Sequence, residues 1–295
     1  MNSTAAQYVK KTNVDHYSKN PEGFLKWIVE KLPNDKVVMG TGFGPPGIVL
    51  LDMLFKVTNN ISVFYIDTSF LFEQTYDLKK KLEEKYGFKF LQFSTELTSE
   101  TQGKQYGEKL WENDPDACCN LRKVLPMNKA LADYDFWITG IRKKQTAIRS
   151  SAGLVELEPR FSVIKMNPLL NWTHDEVWNY IKEHDLPYNE LHDRNYPSIG
   201  CKQCTSPVFA GDDERSGRWN GTNKTECGLH KSTTISLNET KNNDFLIDKS
   251  EKAVIIEKKV TEEGEVVAEK VPSKISLKPA QKEKDANPFF LQQNL

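Results

Sequence analysis

The sequence predicts an α/β fold, a mostly parallel twisted sheet with helices on both faces. Three observations predict it. From about residue 20 to residue 185, short apolar runs alternate with segments of helical periodicity. The first such run ends in the glycine-rich turn Gly40-Thr41-Gly42-Phe43-Gly44-Pro45-Pro46-Gly47. A chain of 295 residues is long enough for one large α/β domain with appendages.

Asn20-Pro21 opens a helix whose apolar positions Phe24, Trp27, Ile28 and Leu32 keep a three-to-four spacing. Lys36 to Thr41 reads as a buried strand, followed after the turn by a helix over Ile48 to Lys56. A strand over Ile61 to Asp67, a long helix near Glu73 to Tyr86 and a strand over Lys89 to Phe93 come next. Further strands are expected at Phe136 to Thr139 and Ser162 to Met166, and a helix from Cys118 to about Leu131. Thr173-His174-Asp175-Glu176 is a capping box that opens a helix running to about His184. After Pro187 the chain turns to loops rich in Gly, Pro, Asn and Arg. Residues 231–295 contain no Cys, Trp, Tyr, Met, Arg or His. That composition predicts a mainly disordered, low-complexity tail, with one hairpin where Ala253 to Val271 alternates around Glu262-Glu263-Gly264-Glu265.

Charge is balanced, with 40 basic and 41 acidic residues, so no nucleic-acid partner is expected. No apolar run reaches the roughly 20 residues of a membrane span, and Met1-Asn2-Ser3-Thr4 lacks a secretory core. No membrane association and a cytoplasmic location are therefore expected. In a reducing compartment, paired cysteines read as metal ligands or redox groups before disulfides.

Four features carry chemistry. The turn Gly40 to Gly47 joins a strand to a helix and is suited to an anion, although it is neither a Walker loop nor a dinucleotide fingerprint; the alternative is a tight turn without a ligand. Asp67, at the end of the next strand, lies on the edge where open α/β sheets bind ligands, or it serves as a turn cap. Thr139-Gly140-Ile141-Arg142-Lys143-Lys144-Gln145-Thr146-Ala147-Ile148-Arg149 follows a strand, and Arg142 and Arg149 there suit phosphate or sulfate oxygens; the alternative is a solvated charged face. All five cysteines lie between positions 118 and 227. Cys118-Cys119 and Cys201-Lys202-Gln203-Cys204 form two close pairs that suit an iron–sulfur cluster or zinc, and adjacent cysteines on a helix favour the cluster. Lys123 follows one and a half turns after Cys118. Cys227 stands apart in Glu226-Cys227-Gly228-Leu229-His230. It reads as a nucleophile rather than an inert buried thiol, with His230, Arg215 and Arg218 as nearby positive charge and Glu226 acting in the opposite direction.

Taken together, Cys118-Cys119-x-x-Arg122-Lys123, Thr139-Gly140-Ile141-Arg142-x-x-Gln145-x-x-x-Arg149, Asn167-Pro168-Leu169-x-x-Trp172 and Tyr196-Pro197-Ser198-Ile199-Gly200-Cys201-x-x-Cys204 resemble blocks of the sulfonucleotide reductases. Arg215-x-Gly217-Arg218-Trp219 and Glu226 to His230 complete the series. Over roughly residues 15 to 230 the chain resembles the cluster-containing adenylyl-sulfate (APS) reductases in particular. The resemblance implies an adenine-nucleotide α-hydrolase (ATP-pyrophosphatase-like) fold and a 4Fe-4S cluster on Cys118, Cys119, Cys201 and Cys204, with Lys123 beside it. It implies a reductase domain over residues 1–230, with Cys227 the catalytic nucleophile on a mobile segment, about 205–230, that closes over the substrate. Gly44, Pro45, Pro46, Gly47, Asp67, Arg142, Gln145, Arg149, Arg215, Arg218 and His230 are then the substrate-binding residues. The implied reaction converts APS to sulfite and AMP through an S-sulfocysteine, with thioredoxin or glutaredoxin as reductant, in a protein expected to be a homo-oligomer. Two departures bear on the substrate. Pro45-Pro46 replaces the small polar or acidic residues usual there, and Ser69-Phe70-Leu71-Phe72 is nearer the 3′-phospho-APS (PAPS) reductase version, so PAPS stays open as a substrate. A cluster-binding sensor without catalysis is the reading from a different class; it makes Cys227 dispensable.

Overall fold

Among the described residues, seven short strands form one sheet in the order β3-β2-β1-β4-β6-β5-β7. Their bounds are β1 Val37–Gly40, β2 Ser62–Asp67, β3 Leu91–Ser94, β4 Phe136–Ile138, β5 Val155–Glu158, β6 Val163–Met166 and β7 Ile235–Ser236. β3, β2, β1, β4 and β6 run parallel, while β5 is antiparallel to both β6 and β7. This computed structural model describes residues 14–209, 211–222 and 224–230, and beyond them the backbone of Ile235–Ser236, Val254–Val260 and Val266–Pro272. The last two segments pair antiparallel as β8 and β9. The other residues of the expected tail lie outside the described ones. No helix among the described residues is long and apolar enough to cross a membrane.

Strand alternation divides the interior into two layers. Val37, Met39, Val63, Tyr65, Phe136, Ile138, Ile164 and Met166 point into the larger core, against helices α1 (Pro21–Lys31), α2 (Pro45–Val57), α3 (Glu73–Tyr86) and α8 (His174–Glu183). Val38, Phe64, Trp137 and Val163 point to the opposite face and meet Met127, Ala130 and Leu131 of α7 (Leu125–Leu131). Helix starts follow the sequence signals. The Asn20 side chain accepts the Gly23 amide at 2.9 Å with Pro21 at the first helical position. Thr173 and Glu176 form the reciprocal capping box, with the Thr173 amide donating to the Glu176 carboxylate at 2.6 Å. Helix α2 begins at Pro45, three residues before the predicted start at Ile48, because Pro45 and Pro46 suit a first turn that needs no amide donors.

The helix expected from Cys118 to about Leu131 is three pieces. Short helices α4 (Ser99–Tyr106) and α5 (Leu110–Asn113) precede it, and then α6 (Pro115–Cys119) passes through a π turn at Asn120–Val124 into α7. Pro126 cannot donate to the Arg122 carbonyl, so the ladder widens at that point. β5, absent from the sequence expectation, is a fully buried strand.

Ligand sites of open parallel sheets lie where neighbouring strands send their connections in opposite directions. That point here is between β1, followed by the turn Thr41–Gly44, and β4, followed by the arginine loop. Gly140 lets the two loops pack: a Cβ there would stand 3.2 Å from the backbone of Pro46 and Gly47.

Candidate active site

A cavity of about 310 Å³ opens at this switch point. The turn Gly40–Gly47 forms one wall and Thr139–Gln145 with Arg149 another. Ser198–Cys201 and Glu214–Trp219 close the third side, and Cys227, Leu229 and His230 close the far end. Lys123 reaches in from the π turn. Loops more than 150 residues apart in sequence thus meet around one space.

The cavity is built to receive a polar ligand. Seven buried side-chain nitrogen or oxygen atoms lack a hydrogen-bond partner among the described residues, and six of them belong to cavity residues. Trp137 Nε1, Trp219 Nε1, Arg142 Nε and Arg215 Nε are donors; His192 Nε2 and His230 Nδ1 complete the set. A buried polar group without a partner costs about 1–3 kcal/mol, so a concentration of them in one cavity marks atoms waiting for a ligand. The sign of that ligand follows from the guanidiniums. Burial pulls Arg142 and Arg215 below the ordinary arginine value, and repulsion from Arg149 adds to this in both, against partial relief from Glu214 and Glu226. An anion placed among them removes the repulsion.

Each arginine is held by its neighbours. Gln145 accepts from the Arg142 amide at 3.1 Å and from Arg149 Nη1 at 2.6 Å, so its oxygen serves to orient the loop. Arg149 grips the Glu226 carboxylate with two bonds of 2.9 Å, and Arg215 Nη2 reaches the same carboxylate at 3.4 Å. Arg218 lies over the Trp219 ring at 4.6 Å and donates to the Ser198 hydroxyl and the Cys204 carbonyl. Gly200 makes room for it, since a Cβ at that position would collide with the Arg218 guanidinium.

Two expected contributors are used differently. Asp67 is outside the cavity wall: it accepts from the Ser69 amide at 2.8 Å, the Tyr76 hydroxyl at 2.8 Å and Gln92 at 3.1 Å, which is the turn-cap role. Thr68 and Leu71 line the cavity from that strand end instead. The turn Gly44 to Gly47 does face the cavity, but it offers fewer amides than its glycines suggest. Pro45 and Pro46 have no N–H, and the Gly47 amide turns back to the Gly44 carbonyl at 2.9 Å.

Cys227 sits where positive charge converges. Burial pushes its thiol up, but Lys123, the Leu229 amide and Arg149 together bring it below the ordinary thiol value. His230 is not that cation. Burial, with Arg149, Lys165, Arg160 and Arg215 around it, holds the imidazole far below its usual range, so it is neutral. It stacks on Trp137 with centroids 5.5 Å apart and fixes the segment after Cys227 against the second face of the sheet. Glu226 still pushes the thiol up, as its sign in sequence suggests, although Arg149 and Arg215 pair with its carboxylate.

The other four cysteines are free thiols beside this wall. Cys118 and Cys201 pack with Phe70 and Leu110, and Cys204 borders them. Burial pushes Cys118 up to about 11, with Cys119, Cys201 and Cys204 adding to it. Cys204 is pushed up to about 11 by burial and then by Cys201. Burial also raises Cys119, against Lys123 and Lys224. Among the described residues no three His, Cys, Asp or Glu side chains are grouped to hold a single metal ion. A cubane makes a different demand, because each of its four thiolates binds a separate iron. Buried thiols that raise one another, beside the cations Lys123 and Arg122, are a donor set that fits such a cluster. Burial works against the charge on Lys123, yet Cys201, Cys227 and Cys119 outweigh it and raise the ammonium above its ordinary value. Arg122, fully buried, donates to Gln102 at 2.6 Å and to the Thr68 carbonyl at 2.8 Å, and lies 4.0 Å over the Phe70 ring.

Sequence reasoning missed several residues around the site. Glu158 and Arg160 bond to each other, and Arg160 also donates to the chain beside Cys227. Lys224 ties the same segment to the Pro115 carbonyl at 2.9 Å and Asp116 at 2.7 Å. Their partners are remote in sequence; the available signal was the pair of glutamates in a strand-like run at Val155–Glu158.

Fold and site together define an α/β protein whose mostly parallel sheet carries an arginine- and cysteine-lined cavity at its switch point. Residues 36–207 match the family described as phosphoadenosine phosphosulfate reductase domain, and the chain belongs to that family. It is 47% identical to an adenosine 5′-phosphosulfate reductase of Halalkalibacterium halodurans, covering 70% of this chain and 90% of the relative. It is 41% identical to the adenosine 5′-phosphosulfate reductase of Staphylococcus epidermidis, covering 76% and 92%. Among solved structures, the phosphoadenylyl-sulfate (PAPS) reductase of Candida auris in a phosphate complex is similar at a TM-score of 0.57 and 35% identity, covering 66% of this chain and 95% of that one.

Proposed function

We propose that this chain reduces adenosine 5′-phosphosulfate to sulfite and AMP in the cytoplasm, with Cys227 as nucleophile. The observation that carries the reading is the convergence of a thiol with lowered pKa and four arginines on one cavity whose polar atoms lack partners. The relatives' names supply the substrate class. Arg142, Arg149, Arg215 and Arg218 hold the phosphosulfate, and the Thr41–Gly47 turn packs against the nucleotide. The Cys227 thiolate attacks the substrate sulfur and forms an S–S bond. The S–O bond to phosphate breaks, and AMP leaves with that electron pair. A thiolate of an external dithiol, of thioredoxin or glutaredoxin type, then attacks the Cys227 sulfur and sulfite departs. The donor's second thiol resolves the mixed disulfide and returns Cys227 as the thiol. Cys118, Cys119, Cys201 and Cys204 would hold a 4Fe-4S cluster, which when bound supplies an anionic, polarisable centre beside Lys123.

Mass spectrometry after mixing the protein with APS and no reductant tests the mechanism. A sulfonate adduct on Cys227 is expected; turnover with Cys227 unmodified rejects the nucleophile. PAPS is the second reading, favoured by the Candida auris relative and by Ser69-Phe70-Leu71-Phe72. Parallel turnover of APS and PAPS decides between them, and a large preference for PAPS overturns the substrate assignment. Full sulfite production by Cys227→Ser would likewise reject Cys227 as the nucleophile, whereas no sulfite from the intact protein with either nucleotide would favour a cluster-binding sensor.

A further inference from the structure

Arg160 lies in the tight connection between β5 and β6, outside every motif that defines the cavity, and it does not line the cavity. Glu158, which is 0% exposed, fixes its guanidinium through two bonds of 2.9 Å, Nε to Oε1 and Nη2 to Oε2. The Phe161 ring lies 5.2 Å from the guanidinium carbon. A planar fork held along one edge presents its remaining N–H groups in fixed directions. Here they are spent on two consecutive main-chain carbonyls: Nη1 donates to Gly228 and Nη2 to Leu229, the latter at 3.0 Å.

Those carbonyls belong to the two residues that follow Cys227. Gly228 takes a φ of 84°, a left-handed conformation that a side chain disfavours, and it turns the Leu229 amide back toward the Cys227 sulfur. The orientation of that amide depends on the Gly228–Leu229 peptide, whose carbonyl oxygen is the one Arg160 Nη1 holds. Glu226, on the other flank, is held by Arg149. The two flanking grips differ in kind. Arg149 lines the cavity, whereas Arg160 lies outside it, committed to Glu158 and the main chain.

We propose that Arg160, anchored by Glu158, is a positioning residue that clasps the chain behind Cys227 and aims its sulfur, without taking part in nucleotide binding. The inference rests on the reading of Cys227 as the nucleophile. Charged hydrogen bonds of this kind contribute about 1.5–3 kcal/mol each, or roughly 10- to 100-fold in a rate that depends on them.

Arg160→Lys, which keeps the charge but loses the fork, is compared with the intact protein in three measurements. The single-turnover rate of Cys227 sulfonation at saturating APS is expected to fall at least about 10-fold. The Kd for AMP is expected to stay within about two-fold. The pH midpoint of Cys227 alkylation by iodoacetamide, read by mass spectrometry without nucleotide, is expected to move upward as the Leu229 amide is lost. An unchanged alkylation midpoint overturns the proposal, as does an AMP affinity that falls in step with the rate. If Arg160→Lys fails to fold, the double variant Glu158→Gln, Arg160→Met, which leaves no unpaired buried charge, is read in the same way. The alkylation and AMP arms need no turnover, so they test Arg160 even if the APS reaction itself is absent.

Discussion

Cys227 and Lys123 come from the two ends of the motif series, and only the fold brings them close enough for one to set the charge of the other. Lys123 is the leading positive influence on the thiol. A thiol with lowered pKa becomes nucleophilic as pH rises through that lowered value, so Cys227 is expected to alkylate at a pH where ordinary cysteines stay protonated. Lys123→Met should move the alkylation midpoint upward, and an unchanged midpoint would remove Lys123 from the activation. Glu226 poses a different question, because its carboxylate occupies Arg149 and Arg215, the same guanidiniums proposed for the phosphosulfate. Glu226→Gln should free them and tighten inorganic sulfate binding at least about 10-fold, on the scale of one charged hydrogen bond of about 1.5–3 kcal/mol. Calorimetric titration with sulfate reads this directly; weaker binding would mean that Glu226 orders the arginines rather than competing for them.

At the scale of elements, the loop Tyr196–Cys204 shows how one backbone position shapes the site. Gly200 has no side chain because the Arg218 guanidinium fills that space, between the Ser198 hydroxyl and the Cys204 carbonyl. Gly200→Ala should displace Arg218 and lower kcat/KM for APS at least about 10-fold, the loss of one charged contact. The melting temperature should fall only slightly, since the apolar cores are untouched. A large loss of stability with normal activity would place the strain elsewhere. The parallel strands and their switch point were legible because β1, β2 and β4 are short apolar runs followed by turn residues. β5 was not, because Glu156 and Glu158 look solvent-facing in sequence. They are 1% and 0% exposed; Lys165 meets Glu156 across the β5–β6 pair, and Arg160 folds back on Glu158 from the connection between those strands. The break in the cysteine helix was hidden for a related reason. The segment reads as one helix from Cys118 to about Leu131, whereas the chain passes through a π turn that leaves Lys123 in the cavity. The cysteines and arginines were legible as chemistry; the latches around Cys227 depended on contacts that no local pattern encodes.

On the scale of the whole molecule, the cavity stores unfavourable terms that the rest of the fold offsets, and pH should expose them. His192 lines the cavity, with its ring edge-on to Trp178 at 5.3 Å. Burial holds its imidazole down to about 4 from 6.5, against the Tyr196 main chain and Asp193, while His174 acts with burial. The unfolded chain therefore takes up this proton first as pH falls. Stability is fully present above about 6.5, declines as pH drops, and the decline levels off below about 4. The shift corresponds to roughly 2–3 kcal/mol after allowing for partial solvent contact. His230 contributes in the same direction, since it too is buried neutral. Urea titrations at pH 7 and pH 4.5 should show a smaller loss for His192→Phe than for the intact protein, and equal losses would exclude His192 as a source. AMP gives the complementary measurement. Present at a hundred times its Kd, it should add about 2.7 kcal/mol to stability at pH 7, because it binds the folded cavity alone. If the unpartnered donors are a ligand site, Arg142→Ala should reduce that gain at a fixed AMP concentration, whereas an unchanged gain would place the nucleotide elsewhere on the chain.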